Sequence, residues 1–290
     1  MFKPRTAALP LQGKRVLVTR TRAQASVLSE QLRKLGATPI EFPTIRIVPP
    51  QDWHVLDAAL RRLYEPHEAS APFYDWLVFT SANGVTICCE RLRTLGYDPG
   101  ALQNVRVAAI GPATAAALAS YNIATDLVPE EYIAEGVAAA LIEDAEKRGN
   151  PLAGQRILLA RAAEARKVLV TSLQQVGAQV DEVAAYYTHT VMRDDESGHA
   201  ILDMLRQHQL DILTFTSSST IRNFSIWLQS AMQDDAFLKQ ETLLAYPTLA
   251  CIGPITAQTA RELGLRVDLE AKEFTIEGLV KALIQHEENK

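Results

Sequence analysis

The sequence predicts an α/β protein built from two units, each a parallel sheet covered by helices on both faces. Short apolar runs such as VLVT, WLVFT and ILLA end at small polar residues and give way to segments with a helical period of 3.6 residues. Alternating strands and helices are typical of parallel sheets between helical layers. A length of 290 residues suits two domains. Two doubly wound units are therefore the simplest architecture.

An internal repeat organises the chain. Residues 16–42 resemble residues 157–183 at an offset of 141, with Gly36 and Gly177 at the same place in the two copies. Three more pairs follow in the same order: LVFTSANG with ILTFTSSS, AAIGPATAAALA with ACIGPITAQTAR, and LVPEEYIAEGVAAAL with LEAKEFTIEGLVKAL. Four matched pairs in one order predict two copies of one unit.

Each strand prediction rests on a short apolar run. In chain order the ten runs are VLVTR, TPIEF, DWLVF, RVAAI, TDLVP, RILLA, VDEVA, DILTF, TLACI and RVDL. Helical segments separate them; SVLSEQLRKLG, for example, carries basic residues in its last turn and ends at Gly36. Ten strands are enough for two five-stranded sheets.

Composition excludes several classes of protein. The net charge of −5 and the pI of about 5.7 argue against a nucleic-acid-binding protein. The three cysteines, Cys88, Cys89 and Cys251, do not form a disulfide framework, and the six histidines lack the spacing of a metal site. The N-terminal residues contain no apolar signal segment, and no apolar run reaches the ~20 residues of a membrane span. We therefore expect a cytoplasmic protein without metal or membrane.

Sequence periodicity alone does not determine the boundaries between the two units. The extended segments FPTIRIVPP (42–50) and AAYYTHTVM (184–192) occupy equivalent places in the repeat; Pro49-Pro50 ends the first segment, and the charged run 193–196 follows the second. If both segments are crossovers, the chain leaves one unit, builds the second and returns. A single division in the turn-rich stretch EKRGNPLAG, near residue 150, is the competing partition.

The ordered set VLVTR, LVFTSANGV, AAIGPATAAAL, LVPEEYIAEGVAAAL, FTSSST and CIGPITAQTA resembles the uroporphyrinogen-III synthase family, from about residue 14 to 284. The resemblance implies two flavodoxin-like, doubly wound lobes with parallel five-stranded sheets, joined by a two-stranded linker. It favours the crossover partition. We predict a discontinuous lobe A of residues 1–44 and 190–290, a lobe B of residues 51–183, and linker strands at 45–50 and 184–189.

The resemblance also implies the activity. Members of the family are lyases of tetrapyrrole biosynthesis that convert hydroxymethylbilane to uroporphyrinogen III, with loss of water and inversion of ring D. Because the pyrrole nitrogens supply the electrons, no cofactor is expected. We expect a monomer that binds this small molecule and neither nucleic acid nor membrane; a transient contact with the preceding enzyme of the pathway stays open.

Several predicted loops suit a substrate with eight carboxylates. They follow strands, precede helices and are rich in serine and threonine, and free N–H groups at helix N-termini favour anions. On this basis the candidate substrate-binding residues are Ser81, Thr114, Ser217, Ser218 and Thr256. The alternative for Ser81, Thr114, Ser217 and Thr256 is that each merely caps its helix.

Arg20 and Arg161 follow equivalent strands of the two copies and are predicted to bind substrate carboxylates; the alternative is an ordinary solvated arginine at a strand end. Tyr186 is the predicted catalytic residue. It matches a functional tyrosine of the family in the context Tyr-x-Thr, and a neutral donor suits a polyanionic substrate. Half-buried packing is the alternative, and Tyr187 is expected to point to the opposite face of the strand.

Two other classes of α/β protein are alternatives. A two-lobed sensor or periplasmic-type binding protein usually carries a signal peptide or a helix-turn-helix domain, and the sequence shows neither. A flavodoxin-like nucleotide enzyme should have clustered glycines after its first strand, whereas TRTRAQAS has none. Neither alternative matches the motifs as well as the synthase family does.

Overall fold

The computed structural model describes residues 9–20, 22–64, 73–191, 195–233 and 238–290, without the side chains of residues 22–24. Contacts divide the chain into two units, Met1–Arg46 with His189–Lys290, and Ile47–Thr188. The chain thus begins in unit 1, builds unit 2 and returns to unit 1. The first eight residues, in which we looked for a signal segment, and residues 193–194 of the charged run lie outside the described residues.

Ten strands are found among the described residues. They are β1 (Arg15–Val18), β2 (Thr38–Glu41), β3 (Ile45–Val48), β4 (Trp76–Phe79), β5 (Arg106–Ala109), β6 (Arg156–Ala162), β7 (Gln179–Thr190), β8 (Ile212–Phe215), β9 (Thr248–Cys251) and β10 (Leu269–Glu270). The α-helices are α1 (Arg22–Lys34), α2 (His54–Arg61), α3 (Ala82–Thr94), α4 (Pro112–Ala119), α5 (Ala134–Lys147), α6 (Val168–Gln175), α7 (Glu196–Arg206), α8 (Ser218–Met232), α9 (Gln240–Leu243), α10 (Pro254–Glu262) and α11 (Ile276–Glu288).

The sheet of unit 1 has the order β10-β9-β8-β1-β2, and its neighbouring strands are parallel. Val16 and Val18 pack on one side with apolar residues of α1 and α11, whereas Leu17 packs on the other side with residues of α7, α8 and α10. Helices therefore cover both faces. This explains why β8 is apolar except for Thr214, since all four of its residues are buried.

The sheet of unit 2 has the order β3-β7-β6-β4-β5, with parallel pairing among β7, β6, β4 and β5. Alternate residues of β4 again enter different cores. Trp76 and Val78 pack with residues of α5 and α6, and Leu77 and Phe79 pack with residues of α2, α3 and α4. The predicted α/β class, with two five-stranded and mainly parallel sheets, is confirmed.

One predicted strand is wrong and another is shorter than predicted. The run TDLVP, expected as a strand of unit 2, makes only a single bridge between Leu127 and Ala108, so the fifth strand of that sheet is β3. Pro129 has no N–H group and does not continue a ladder. The run RVDL likewise contributes only Leu269 to β10. In each copy an aspartate side chain accepts a backbone hydrogen bond that a longer strand pairing would use. Asp126 accepts from the N–H of Val107 at 2.8 Å, and Asp268 accepts from the N–H of Leu249 at 2.9 Å.

The two copies of the repeat also share a close backbone contact at a glycine. At Gly136 an added Cβ would lie 2.2 Å from the carbonyl oxygen of Glu131, and at Gly278 it would lie 2.1 Å from that of Glu273. Only glycine allows the first turns of α5 and α11 to approach the preceding loop so closely. The two copies therefore share the same tight connection, which positions the loop at the carboxyl end of each sheet.

Candidate active site

In unit 2, the loop after β4 and the strand β7 bring two candidate residues together. Ser81 is the N-cap of α3, and its hydroxyl accepts a hydrogen bond from the N–H of Gly84 at 3.1 Å. The same hydroxyl lies 2.9 Å from the Tyr186 hydroxyl. The Tyr186 hydroxyl thus lies at the carboxyl edge of the parallel sheet, where α/β folds bind their ligands.

A β-bulge sets the direction of Tyr186. Along β6 and β7, Arg161 is opposite Ala184 and Ala162 is opposite Tyr186, so Ala185 has no partner in the register. Ala185 and Tyr186 are consequently both buried, against the usual alternation of a strand, while Tyr187 is exposed. The predicted opposite orientation of Tyr187 agrees with this pattern.

Tyr186 is 6% exposed, so its hydroxyl is held in a largely dry position. Burial raises the pKa of Tyr186 above its ordinary value, and the hydrogen bonds with Ser81 and Asn83 offset only part of this effect. The side chain is therefore a neutral phenol at physiological pH. Asn83 was not among the predicted residues; it lies in the first turn of α3, and its place two residues after Ser81 was the available signal.

Arg161 has an acidic partner within unit 2. Its guanidinium is only 2% exposed and donates to one oxygen of Glu182 at 2.6 and 3.0 Å. Lys167 donates to the other oxygen of Glu182. Burial would raise the pKa of Glu182, but the hydrogen bonds from Lys167 and Arg161 more than compensate and lower it. The arginine is thus neither solvated nor at the open end of a strand, as the alternative reading assumed, and a structural ion pair accounts for its burial.

Thr114 and Thr256 occupy matching places in the first turns of α4 and α10, and each is 4% exposed. They do not cap these helices, because Gly111 and Gly253 hold the N-cap positions. An added Cβ at Gly111 would meet the ring of Tyr132, and one at Gly253 would meet the ring of Phe274. A glycine thus lets an aromatic side chain cover each of these loops.

In unit 1 the loop after β8 carries two predicted residues. Ser217 is the N-cap of α8 and forms a capping box with Thr220, and its hydroxyl lies 3.0 Å from that of Ser219. The Ser218 hydroxyl accepts a hydrogen bond from Thr259 of α10 at 2.9 Å. The structure therefore brings Ser217 and Ser218 beside the helix that contains Thr256.

Arg20 follows β1 of unit 1 and is partly buried. Burial lowers the pKa of its guanidinium. Two buried threonines donate hydrogen bonds near this end of β1. Thr19, which precedes Arg20, donates to the carbonyl oxygen of Thr214 at 2.8 Å, and Thr44 donates to the carbonyl oxygen of Thr220 at 3.0 Å. Thr44 precedes β3 and was not predicted as part of this edge, because an isolated threonine before a strand gives no sequence signal.

Each unit thus presents hydroxyl groups and helix N-termini at the carboxyl edge of its sheet, which is a pattern of donors suited to anions. In unit 2 the same edge carries a buried neutral phenol. No group of three or more metal-ligating side chains occurs among the described residues. No helix in the described part of the chain is long and apolar enough to cross a membrane. These features are those of an α/β protein with polar loops suited to anions at the carboxyl edges of two parallel sheets.

Comparisons with known proteins identify the family. The family model for uroporphyrinogen-III synthase HemD matches residues 26–281. The uroporphyrinogen-III synthase of Synechococcus elongatus is 35% identical over 280 residues, which are 96% of this chain and 97% of that protein. The porphyrin biosynthesis protein HemD of Ruminiclostridium josui is 31% identical over 277 residues, which are 95% of this chain and 49% of that protein.

A solved structure agrees at the level of the fold. A mutant uroporphyrinogen III synthase from the extremely thermophilic bacterium Thermus thermophilus has a TM-score of 0.62 and 18% identity, covering 96% of this chain and 100% of that one. The chain belongs to the uroporphyrinogen-III synthase family. It is an enzyme of tetrapyrrole biosynthesis, a lyase that cyclises hydroxymethylbilane, which confirms the resemblance seen in the sequence.

Proposed function

We propose that Tyr186 assists the departure of the terminal hydroxyl group of hydroxymethylbilane, and that the enzyme then closes the macrocycle with ring D inverted. The observation that carries this proposal is the position of the Tyr186 hydroxyl, a buried phenol 2.9 Å from the N-cap serine of α3. A neutral donor at this edge does not repel a substrate with eight carboxylates. General acid assistance is worth about 10²–10⁴ in rate.

The first step breaks the carbon–oxygen bond of the hydroxymethyl group. The pyrrole nitrogen supplies the electron pair that forms the exocyclic double bond, and the leaving oxygen takes a proton and departs as water. In our proposal this proton comes from Tyr186. The azafulvenium that remains loses its N–H proton, which restores the phenol, so that the step balances as hydroxymethylbilane going to azafulvene and water. A spiro intermediate then allows the last ring to invert.

The substrate carboxylates are proposed to meet the helix N-termini and hydroxyl groups at the edges of the two sheets. In unit 1 these are Arg20, Ser217, Ser218 and Thr256; in unit 2 they are Thr114 and the N-terminus of α3. Fixed N–H groups and hydroxyls support this role because they bind anions without net charge on the protein. Arg161 is instead proposed to stabilise unit 2 through its ion pair with Glu182.

The organisation of the molecule is part of the proposal. We propose that the two units are flavodoxin-like lobes, joined where the chain passes through β3 and the end of β7. The strand orders of the two sheets support this, since β1 lies between β2 and β8 in unit 1, and its counterpart β6 lies between the matching strands β7 and β4 in unit 2. We also propose that the enzyme is a cytoplasmic monomer and that its chemistry requires no cofactor, because the pyrrole nitrogens supply the electrons.

The test compares Tyr186→Phe with Tyr187→Phe. We expect Tyr186→Phe to lower the turnover number by about 10²–10⁴ if Tyr186 donates the proton. A loss near tenfold would suit a hydrogen bond that only positions the leaving group. Tyr187→Phe should do little, because this side chain is exposed whereas Tyr186 is buried. The measurement is the initial rate with fresh hydroxymethylbilane, together with the ratio of product isomers.

The isomer ratio provides an independent readout. As the enzymatic closure slows, free bilane cyclises without inversion, so the uninverted isomer should accumulate with Tyr186→Phe. Losing one hydrogen bond should lower the free energy of unfolding by only about 0.5–1.5 kcal/mol, so the protein stays folded. A wild-type rate in Tyr186→Phe, or an equal loss in Tyr187→Phe, would remove Tyr186 from the mechanism.

A further inference from the structure

The hydroxyl of Ser81 joins two different groups. It accepts the N–H of Gly84, one of the free N–H groups of the first turn of α3, at 3.1 Å. It also lies 2.9 Å from the Tyr186 hydroxyl. The bulge at Ala185 directs Tyr186 toward this contact. An N-cap serine needs only the first of these hydrogen bonds, so the second is a separate feature of unit 2.

The repeat shows that this second hydrogen bond is specific to unit 2. Ser217 is the matching N-cap in unit 1 and accepts the N–H of Thr220 at 3.2 Å. Its other hydroxyl neighbours are Ser219 and Thr220, which lie on its own helix. The residue of the first copy of the repeat that aligns with Tyr186 is Ile45, which has no hydroxyl group. The same capping serine is thus joined to a tyrosine in one copy alone.

The direction of the hydrogen bond follows from counting protons. A serine hydroxyl has one proton and a tyrosine hydroxyl has one. If Tyr186 donates its proton toward the substrate, its oxygen must accept from Ser81, and the single proton of Ser81 is then used. Ser81 retains only an acceptor lone pair, which a carboxylate would repel. The predicted contact between Ser81 and a substrate carboxylate conflicts with this arrangement.

We propose that Ser81 is a positioning residue, which orients the Tyr186 hydroxyl as a donor and links it to the N-terminus of α3. The chain of donors runs from the Gly84 N–H to Ser81, from Ser81 to Tyr186, and from Tyr186 to the leaving group. Each hydrogen bond in such a chain polarises the next, and the positive end of the helix stabilises negative charge on the phenol oxygen. This inference rests on the proposed role of Tyr186.

The test is a double-mutant cycle of Ser81→Ala and Tyr186→Phe. We expect Ser81→Ala to lower the turnover number about tenfold, the factor that corresponds to one net hydrogen bond, with KM nearly unchanged. In the Tyr186→Phe background the same change should have no further effect on turnover. Ser81→Thr keeps the hydroxyl and should restore most of the rate. The alkaline limb of the turnover number should move to higher pH in Ser81→Ala, because the phenolate loses a donor.

Loss of the helix cap is controlled by Thr275→Ala. Thr275 caps α11 through the N–H of Gly278 at 3.0 Å, so this variant loses an equivalent cap. Both alanine variants should lower the melting temperature, Ser81→Ala by at least as much because it also loses the hydrogen bond with Tyr186, but Thr275→Ala should keep the wild-type turnover number.

Three outcomes overturn the inference. A raised KM with unchanged turnover in Ser81→Ala would make Ser81 a substrate contact. Additive losses in the double variant would mean that Ser81 does not act through Tyr186. An equal loss of turnover in Thr275→Ala would reduce the effect to helix capping. A wild-type rate in Tyr186→Phe would instead refute the proposed role of Tyr186 itself, so the two failures are distinguishable.

Discussion

At the scale of single residues, equivalent positions in the repeat have acquired different surroundings. Arg20 and Arg161 occupy equivalent places in the two copies, yet Arg20 follows β1 whereas Arg161 lies within β6 and pairs with Glu182. The sequence showed that the two arginines align but not that Arg161 pairs with Glu182, because this ion pair depends on the register of β6 against β7. The bulge at Ala185 was equally hidden, since strand alternation assumes no inserted residue.

We expect Arg161→Met to act on stability. Breaking a buried ion pair typically costs about 3–5 kcal/mol; Glu182 is partly exposed and keeps Lys167, so a value near the lower end is expected. Lys167→Met is the matched control, because Lys167 is 69% exposed and should contribute about 1 kcal/mol or less. Urea unfolding of both variants measures the difference. Unchanged unfolding with weaker substrate binding in Arg161→Met would restore the sequence-based prediction of a carboxylate contact.

At the scale of elements, most strands and helices follow from the sequence because buried apolar runs and helical periodicity are strong signals. The strand predictions fail where a side chain takes the place of the backbone hydrogen bonds between strands. Asp126 and Asp268 accept strand N–H groups, and TDLVP therefore forms a bridge and not a strand. The candidate loops were predicted from their place after strands. The sequence did not show, however, that Ser81 caps α3 whereas Gly111, and not Thr114, caps α4.

An ion pair between α5 and β5 gives unit 2 an acid-sensitive contact. Arg106 of β5 donates to Asp144 of α5, and this hydrogen bond, outweighing the effect of burial, lowers the pKa of Asp144 to about 2. A folded-state pKa below the unfolded value of about 3.9 stabilises the fold above pH 4. The contribution should be lost as the pH falls from about 4 to about 2.

Asp144→Asn tests this contribution. Its urea midpoint should lie below that of the wild type at pH 6, and the two midpoints should converge as the pH approaches 2, where Asp144 becomes protonated. Glu143→Gln is the control: Glu143 pairs with Lys147 on the solvent side of the same helix, and the side chains are 64% and 72% exposed. It should follow the wild-type curve. A constant difference between Asp144→Asn and wild type at every pH would contradict the assignment.

At the scale of the whole molecule, the order of the strands determines where the chain can be divided. β6 lies between β7 and β4 in the sheet of unit 2. A fragment that ends at residue 150 lacks β6 and β7, and therefore leaves β4 without a neighbour on one side. The turn-rich stretch near residue 150 resembled a domain boundary only because surface turns and linkers share their composition.

We predict that residues 47–188, the extent of unit 2, fold alone with a cooperative thermal transition, because the fragment contains the two core clusters of that unit. Residues 1–150 should bind a hydrophobic dye and lack such a transition. Circular dichroism and dye fluorescence of the two fragments measure this. A compact 1–150 together with an aggregated 47–188 would refute the interleaved arrangement.

The product of the intact enzyme tests the central claim most directly. The purified chain is incubated with freshly prepared hydroxymethylbilane, and the isomers are quantified beside a reaction in buffer alone and one that contains a chelator. We predict that uroporphyrinogen III, with ring D inverted, dominates both enzyme reactions, whereas buffer alone yields the uninverted isomer. An enzyme reaction whose isomer ratio equals that of buffer alone would contradict the account.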